Sequence, residues 1–242
     1  MSSAFEGKQF VVTGGAGGIG KFCARDILER NGRVLLVDID AERLAAVRAE
    51  LGGGALLATH VSALADPKAA AAALDAAGQP INGIVHMAGL FEPDPMEDHF
   101  VWDRAMAANL TNGYDLALAY KSRRDSNSVG RIVFCSSGAA RRGAPGRLAY
   151  TVAKAGIIGL TRGLAREFAP HTLVNAVAPN AICTTMTTKV FEERGAAIMA
   201  MIPLGRFGEP EEIASVVTFL LGKGASYMTD QTLNIDGGAS NS

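Results

Sequence analysis

The stretch Gln9-Phe-Val-Val-Thr-Gly-Gly-Ala-Gly-Gly-Ile-Gly20 decides the architecture. Its first five residues are an uncharged, mostly apolar run, the pattern of a strand covered on both faces. Two glycine frames overlap directly after it, Gly15-x-Gly17-x-x-Gly20 and Gly14-x-x-x-Gly18-x-Gly20, and a helical pattern follows over 18–31. Residues without side chains let the backbone approach a pyrophosphate, whose charge is favoured at a helix N-terminus. The stretch therefore predicts a strand–turn–helix unit that cradles a dinucleotide, with Gly14, Ala16, Gly17, Gly18, Ile19 and Gly20 around the phosphates.

Outward from this unit the same rhythm repeats. Further apolar runs lie at 33–37, 55–59, 83–86, 131–135, 173–177 and 231–235, and helix patterns at 41–51, 66–77, 97–121, 149–169 and 210–222. Strands alternating with helices mean βαβ units and a doubly wound parallel sheet. Seven such strands fill residues 1–242 and leave no room for a second domain. Asp66-Pro67 reads as a helix cap followed by a first-turn proline, ahead of the Ala-rich run at 69–77. The segment 184–210 has an interrupted helical signal and three methionines, which suits a lid over a pocket.

Asp38 closes the second strand, 18 residues after Gly20. A carboxylate there accepts bonds from a ribose 2′-hydroxyl and repels a 2′-phosphate. Its neighbour Ile39 offers no positive charge, so NAD is expected rather than NADP. The same position would also suit an N-cap for the helix at 41–51.

The 23 Lys and Arg against 24 Asp and Glu give a net charge of −1, too even for a field that holds a nucleic-acid backbone. Cys23, Cys135 and Cys183 are odd in number and far apart, which suggests buried thiols rather than a zinc site or disulfides. His99 and His171 show no metal-ligand spacing and read as surface or helix-end residues; no metal is expected. The N-terminus has no secretory pattern and no run reaches the ~18 apolar residues of a membrane helix, so the expectation is a cytoplasmic protein without membrane or nucleic-acid partners.

Ser136-Ser137 ends a strand, and Tyr150-Thr-Val-Ala-Lys154 opens a helix, with Tyr150 and Lys154 on one face at i, i+4. A phenol of pKa ~10 needs a drop of ~2–3 units to act as a base near neutrality. One cation at ~4 Å and an effective dielectric of ~20 is worth ~4 kcal/mol, enough for that drop. Together, Thr13-Gly14…Gly18-Ile19-Gly20, Ser137, Tyr150, Lys154 and a late Pro179…Thr184 resemble the short-chain dehydrogenase/reductase family over residues 5–238. The resemblance implies a Rossmann-type sheet of order 3-2-1-4-5-6-7, a homotetramer, and a four-residue catalytic set. In that set Tyr150 is the general acid/base, and Lys154 holds the nicotinamide ribose and lowers the Tyr150 pKa. Ser137 orients the substrate oxygen, with Ser136 as an adjacent alternative, and Asn109 supports a proton path. Pro179, the Ile182 backbone and the Thr184 hydroxyl would meet the nicotinamide carboxamide.

Three departures from the family pattern stand out. His86-Met87-Ala88-Gly89 replaces Asn-Asn-Ala-Gly, so Met87, Ala88 and Gly89 keep the backbone approach while His86 must remake the asparagine's bracing. His60-Val61 replaces Asp-Val beside the adenine. Asn180 replaces a glycine after Pro179, where a left-handed turn is expected. On the substrate side, Met87, Phe91, Met186, Met199 and Met201 are candidates for walls and lid. Arg141, Arg142 and Arg147 form a basic loop, and Arg147 is a candidate partner for a substrate anion. The reading expected is an NAD-dependent oxidoreductase of secondary alcohols and ketones. The alternatives are an NADP-dependent 3-oxoacyl reductase and, in another class, an NAD-binding regulator without turnover.

Overall fold

The computed structural model describes residues 3–78, 80–96 and 99–240. Seven parallel strands form one sheet: β1 (Gln9–Thr13), β2 (Arg33–Asp38), β3 (Leu57–Val61), β4 (Gly83–His86), β5 (Gly130–Cys135), β6 (Thr172–Pro179) and β7 (Thr232–Ile235). Their order is β3-β2-β1-β4-β5-β6-β7, as the resemblance implied. Between β1 and β4 the chain reverses its direction of travel across the sheet, which opens a crevice at the carboxyl ends of those strands.

The helices are α1 (Gly18–Leu28), α2 (Ala41–Glu50), α3 (Pro67–Asp75), α4 (His99–Met106), α5 (Asn112–Tyr120), α6 (Ala139–Arg142), α7 (Leu148–Phe168), α8 (Thr188–Met199) and α9 (Pro210–Leu221). Consecutive strand residues point to opposite faces, and both faces are covered. Val12, Leu36, Val85 and Val133 pack against Cys23 and Ile27 of α1 and Ile213 and Val217 of α9. Their neighbours Val11, Leu35, Ile84 and Ile132 share the opposite core with Leu74, Leu116, Tyr120, Ile157 and Leu164 of α3, α5 and α7. That is why the strand sequences are continuously apolar; each fully buried aliphatic side chain contributes about 1.5–3 kcal/mol.

Local signals hold where they involve neighbours in sequence. Asp66 caps α3 by accepting from the Ala69 amide at 2.8 Å, with Pro67 in the first turn. The structure differs from expectation in four places. β3 begins and ends two residues later than the apolar run suggested, because His60 and Val61 continue to pair with Val37 and Asp38 of β2. The single helix expected over 97–121, whose first two residues lie outside the described ones, is α4 and α5 joined by a π-helical turn, Ala107–Thr111. Segment 184–210 contains α8, which buries no side chain. The left-handed residue after Pro179 is Ala181 (φ 54°), not Asn180.

Candidate active site

The glycine turn after β1 has almost no spare room. A Cβ on Gly14 (φ 64°) would lie 2.7 Å from the Ala88 nitrogen at the end of β4, and one on Gly20 would strike the Gly14 carbonyl. Gly18 faces Thr184: a Cβ there would lie 2.9 Å from the threonine methyl. The strand–turn–helix unit thus meets β4 on one side and the segment after β6 on the other, and glycine is the residue that lets them meet. This is a cradle of the shape a dinucleotide's phosphates need.

Asp38 stands at the mouth of the same turn. One of its carboxylate oxygens accepts the Ala16 amide at 2.9 Å and the other the Asp40 amide at 3.2 Å. The N-cap of α2 is Asp40, which accepts from the Arg43 amide at 3.0 Å. Asp38 is therefore not a helix cap, and its carboxylate belongs to the glycine turn. Arg43, which the sequence did not single out, donates from Nη2 to the Ala16 carbonyl at 2.9 Å. Its signal was its place in the first turn of α2, but that shows only once α2 is folded back on the turn. Ile39 and Val61 are exposed around Asp38, and His60 is half-buried beside Val37.

His86 remakes the bracing that the missing asparagine left open. It is buried, with Nδ1 2.8 Å from Thr13 Oγ1 and Nε2 3.1 Å from Asn112 Oδ1. Asn112 spends its own amide group on the Ala108 carbonyl, so its Oδ1 accepts. His86 must then donate from Nε2 and accept from the Thr13 hydroxyl at Nδ1, the neutral tautomer. Burial, and secondarily the charge of Lys154, push its pKa down to about 3.

The chemistry-bearing side chains converge past the ends of β4 and β5. Asn109, wholly buried on the π-helical turn, donates to the Ala105 carbonyl at 2.9 Å and accepts the Leu90 amide at 3.0 Å. A Cβ on Gly89 would touch both Asn109 Oδ1 (2.5 Å) and Lys154 Nζ (3.2 Å), so Gly89 keeps a gap between them. Extra-wide helical turns of this kind recur at functional sites. Lys154 is buried and donates to the Cys135 carbonyl at 3.0 Å. Ser136 Oγ points away into α7, donating to the Lys154 carbonyl at 2.8 Å, which removes it as the alternative to Ser137. Ser137, held by the Ala139 amide at 3.1 Å, is the hydroxyl that faces Tyr150.

The electrostatics of Tyr150 depart from the sequence argument. Burial pushes the phenol's pKa up, while the Ser137 hydroxyl and the charge of Arg147 pull it down. Lys154 lies 5.7 Å from the ring centroid with its ammonium turned to Cys135, and its own pKa is lowered by burial. Both cations lie near this ring, and the charge of Arg147 draws the phenol's pKa down. Its guanidinium lies 4.2 Å from the Phe91 ring centroid, and Phe91 meets the Tyr150 ring edge-on at 4.9 Å.

The rest of the basic loop divides. Arg142 ties Asn180 Oδ1 to the Ala239 carbonyl, and Arg141 is exposed. Beyond β6, Ile182 is buried and Thr187, another residue not read from the sequence, is the hub of the turn. Its hydroxyl donates to the Ile182 carbonyl at 2.6 Å and accepts the Thr184 amide at 3.1 Å. Nothing in its local sequence distinguishes it from Thr184, Thr185 and Thr188 beside it. A cleft of about 550 Å³ opens here, lined by Cys183, Thr184, Thr185, Thr188, Phe191 and Glu192. Of the apolar wall candidates, Phe91 reaches Tyr150, and Met87 packs against the core instead. Met186, Met199 and Met201 are exposed, so they line nothing closed. Cys23 is buried as expected, whereas Cys135 and Cys183 are half-buried. Among the described residues no group of three His, Cys, Asp or Glu side chains could hold a metal ion, and no helix is long and apolar enough to cross a membrane.

Comparison with known proteins agrees with this geometry. The family described as Enoyl-(Acyl carrier protein) reductase matches residues 14–240. The 3-oxoacyl acyl-carrier-protein reductase of Vibrio harveyi is 34% identical over 238 residues, covering 96% of this chain and 97% of its own. A glucose/ribitol dehydrogenase structure from Brucella melitensis superposes with a TM-score of 0.95 at 32% identity, over 100% of both chains. A 3-oxoacyl acyl-carrier-protein reductase of the same organism, solved with bound NAD, does so with a TM-score of 0.88 at 29% identity, over 99% of this chain and 94% of its own.

Proposed function

Because this chain belongs to the short-chain dehydrogenase/reductase family, an NAD(P)-dependent group of oxidoreductases acting on CH–OH groups, we propose that it interconverts a ketone and a secondary alcohol with NAD(H) as the redox partner. The observation that carries this reading is the pairing of the Ser137 hydroxyl with Tyr150, together with the approach of Lys154 and Asn109 to Gly89. The names of the relatives favour a 3-oxoacyl-type carbonyl over an unspecified alcohol. The Asp38 carboxylate at the turn favours NAD(H) over NADP(H), since it accepts from hydroxyls and repels a phosphate.

The bound nicotinamide dinucleotide supplies hydride in reduction and accepts it in oxidation. The glycine turn, Asp38, Ala88 and Gly89 would hold it, with His60 and Val61 on the adenine side and Pro179, Ile182 and Thr184 on the nicotinamide side. Ser137 donates a hydrogen bond to the substrate oxygen and fixes its direction. Tyr150 gives its phenolic proton to that oxygen in reduction and recovers one in oxidation. Burial keeps the phenol protonated, which suits the acid role. Lys154 and Asn109, separated by Gly89, steady the ribose side and the route by which Tyr150 is reprotonated. Phe100 and Trp102 of α4 and Tyr114 and Leu118 of α5 are exposed large side chains, which supports association with further copies of the chain, a homotetramer being the working form proposed. A panel of ketones and secondary alcohols followed by reduced-dinucleotide absorbance tests the reading. Turnover that disappears in Tyr150→Phe supports it; a wild-type protein inert toward the whole panel with either dinucleotide overturns it.

A further inference from the structure

Two cations flank the Tyr150 phenol along α7, and the fold treats them differently. Lys154 has an acceptor in the Cys135 carbonyl. The Arg147 guanidinium has none among the described residues, and its Nε is buried without a hydrogen-bond partner. The neighbouring acid, Asp94, forms no ion pair with it; its two oxygens accept the Met96 and Ala149 amides, each at 2.8 Å. A donor withdrawn from water and given no acceptor is costly, and the planar fork of an arginine suits a carboxylate. Its direction is set rather than loose, because the guanidinium stacks on Phe91 and Phe91 abuts Tyr150. Arg147 is the N-cap residue of α7, three residues before Tyr150, and Phe91 bridges the two side chains.

We propose that Arg147 binds a carboxylate on the substrate, beside the carbonyl that faces Ser137 and Tyr150, so that the enzyme takes short 3-oxo and 3-hydroxy acids in preference to neutral acyl thioesters. This rests on the carbonyl-reductase reading and narrows its substrate class. The charge serves twice, since a guanidinium close enough to hold the acid is also close enough to be felt by the phenol.

The test compares 3-oxobutanoate with its methyl ester and its N-acetylcysteamine thioester, each with NADH and NADPH. Wild-type enzyme is expected to favour the acid in kcat/KM by about tenfold or more. Arg147→Gln should lose about 10–100-fold more on the acid than on the ester, the range of a charge-assisted pair, because the charge felt by the phenol is lost for both substrates. Arg147→Lys should fall between, keeping charge without the fork. NADH binding to each variant, read by nicotinamide fluorescence, reports that the fold and the cofactor site are intact. Binding of 3-oxobutanoate to Tyr150→Phe, measured calorimetrically with and without Arg147→Gln, gives a readout independent of turnover and should weaken by the same factor. Equal losses on acid and ester, or a wild-type preference for ester or thioester, overturn the inference and leave the carbonyl-reductase reading standing. Absence of turnover with every carbonyl compound removes both.

Discussion

Replacing His86 by asparagine should make the protein less sensitive to mild acid. In the folded state the buried imidazole stays neutral down to about pH 3, whereas in the unfolded chain it titrates near 6.5. Below pH 6.5 the unfolded chain therefore binds a proton that the native state refuses, and stability falls as pH falls. Above pH 6.5 neither state binds it, and the effect vanishes. The slope is about 1.4 kcal/mol per pH unit, so moving from pH 7.5 to pH 5.0 costs about 2 kcal/mol through this one side chain. With a urea m-value of about 2 kcal/mol/M, the midpoint should move by about 1 M more in wild type than in His86→Asn. The single tryptophan, Trp102, reports unfolding, and protomer concentration must be held constant for an oligomer. Carboxylates contribute to both proteins alike, so the difference between the two pH dependences isolates His86, whatever the absolute cost of losing its bonds to Thr13 and Asn112. Identical pH dependences in the two proteins would refute the neutral, bridging histidine.

Three further outcomes follow from the same geometry. Asp38→Ala should narrow the preference for NADH over NADPH by about fivefold or more, because like charges ~4 Å apart repel by at least ~1 kcal/mol even in water; unchanged dissociation constants for both would remove Asp38 from the ribose. Tyr150→Phe should lower kcat by about 10²–10⁴-fold while NADH still binds, as read by nicotinamide fluorescence; turnover at wild-type rates would reassign the proton donor. Ala181→Gly should raise the melting temperature, corresponding to about 1 kcal/mol, because the alanine is held at φ 54° where its Cβ is crowded; a fall in stability would show that the turn gains nothing from the relief.

What could be read from the chain in advance was what adjacent residues determine. The glycine turn, β1 and α1 are contiguous, so their pattern carries its own context. Tyr150 and Lys154 share a face by helical spacing alone, and Asp66 caps α3 from three residues away. The features that were not legible depend on segments far apart. Lys154 was expected to lower the phenol's pKa, but its ammonium is drawn to a carbonyl on β5, nineteen residues back. Arg43 reaches the glycine turn across twenty-seven residues. The choice between Ser136 and Ser137 turned on which side of β5 meets α7, which the sequence leaves open. The wider turn at Ala107–Thr111 has no residue signature, and it places Asn109 toward Leu90 and Asn112 toward His86 at once.

The corner between β2 and α2 separates two duties that could have fallen on one carboxylate. Asp40 begins the helix, and Asp38 addresses the turn. A substitution at Asp38 therefore leaves the Asp40 cap on the Arg43 amide while removing the acceptor of the Ala16 and Asp40 amides, and the Arg43 guanidinium donates to the Ala16 carbonyl from the other side. On the proposed NAD(H) reading, the carboxylate that would discriminate between dinucleotides also ties the glycine turn to the corner before α2, so a change of cofactor at Asp38 would have to replace two amide acceptors as well as a charge.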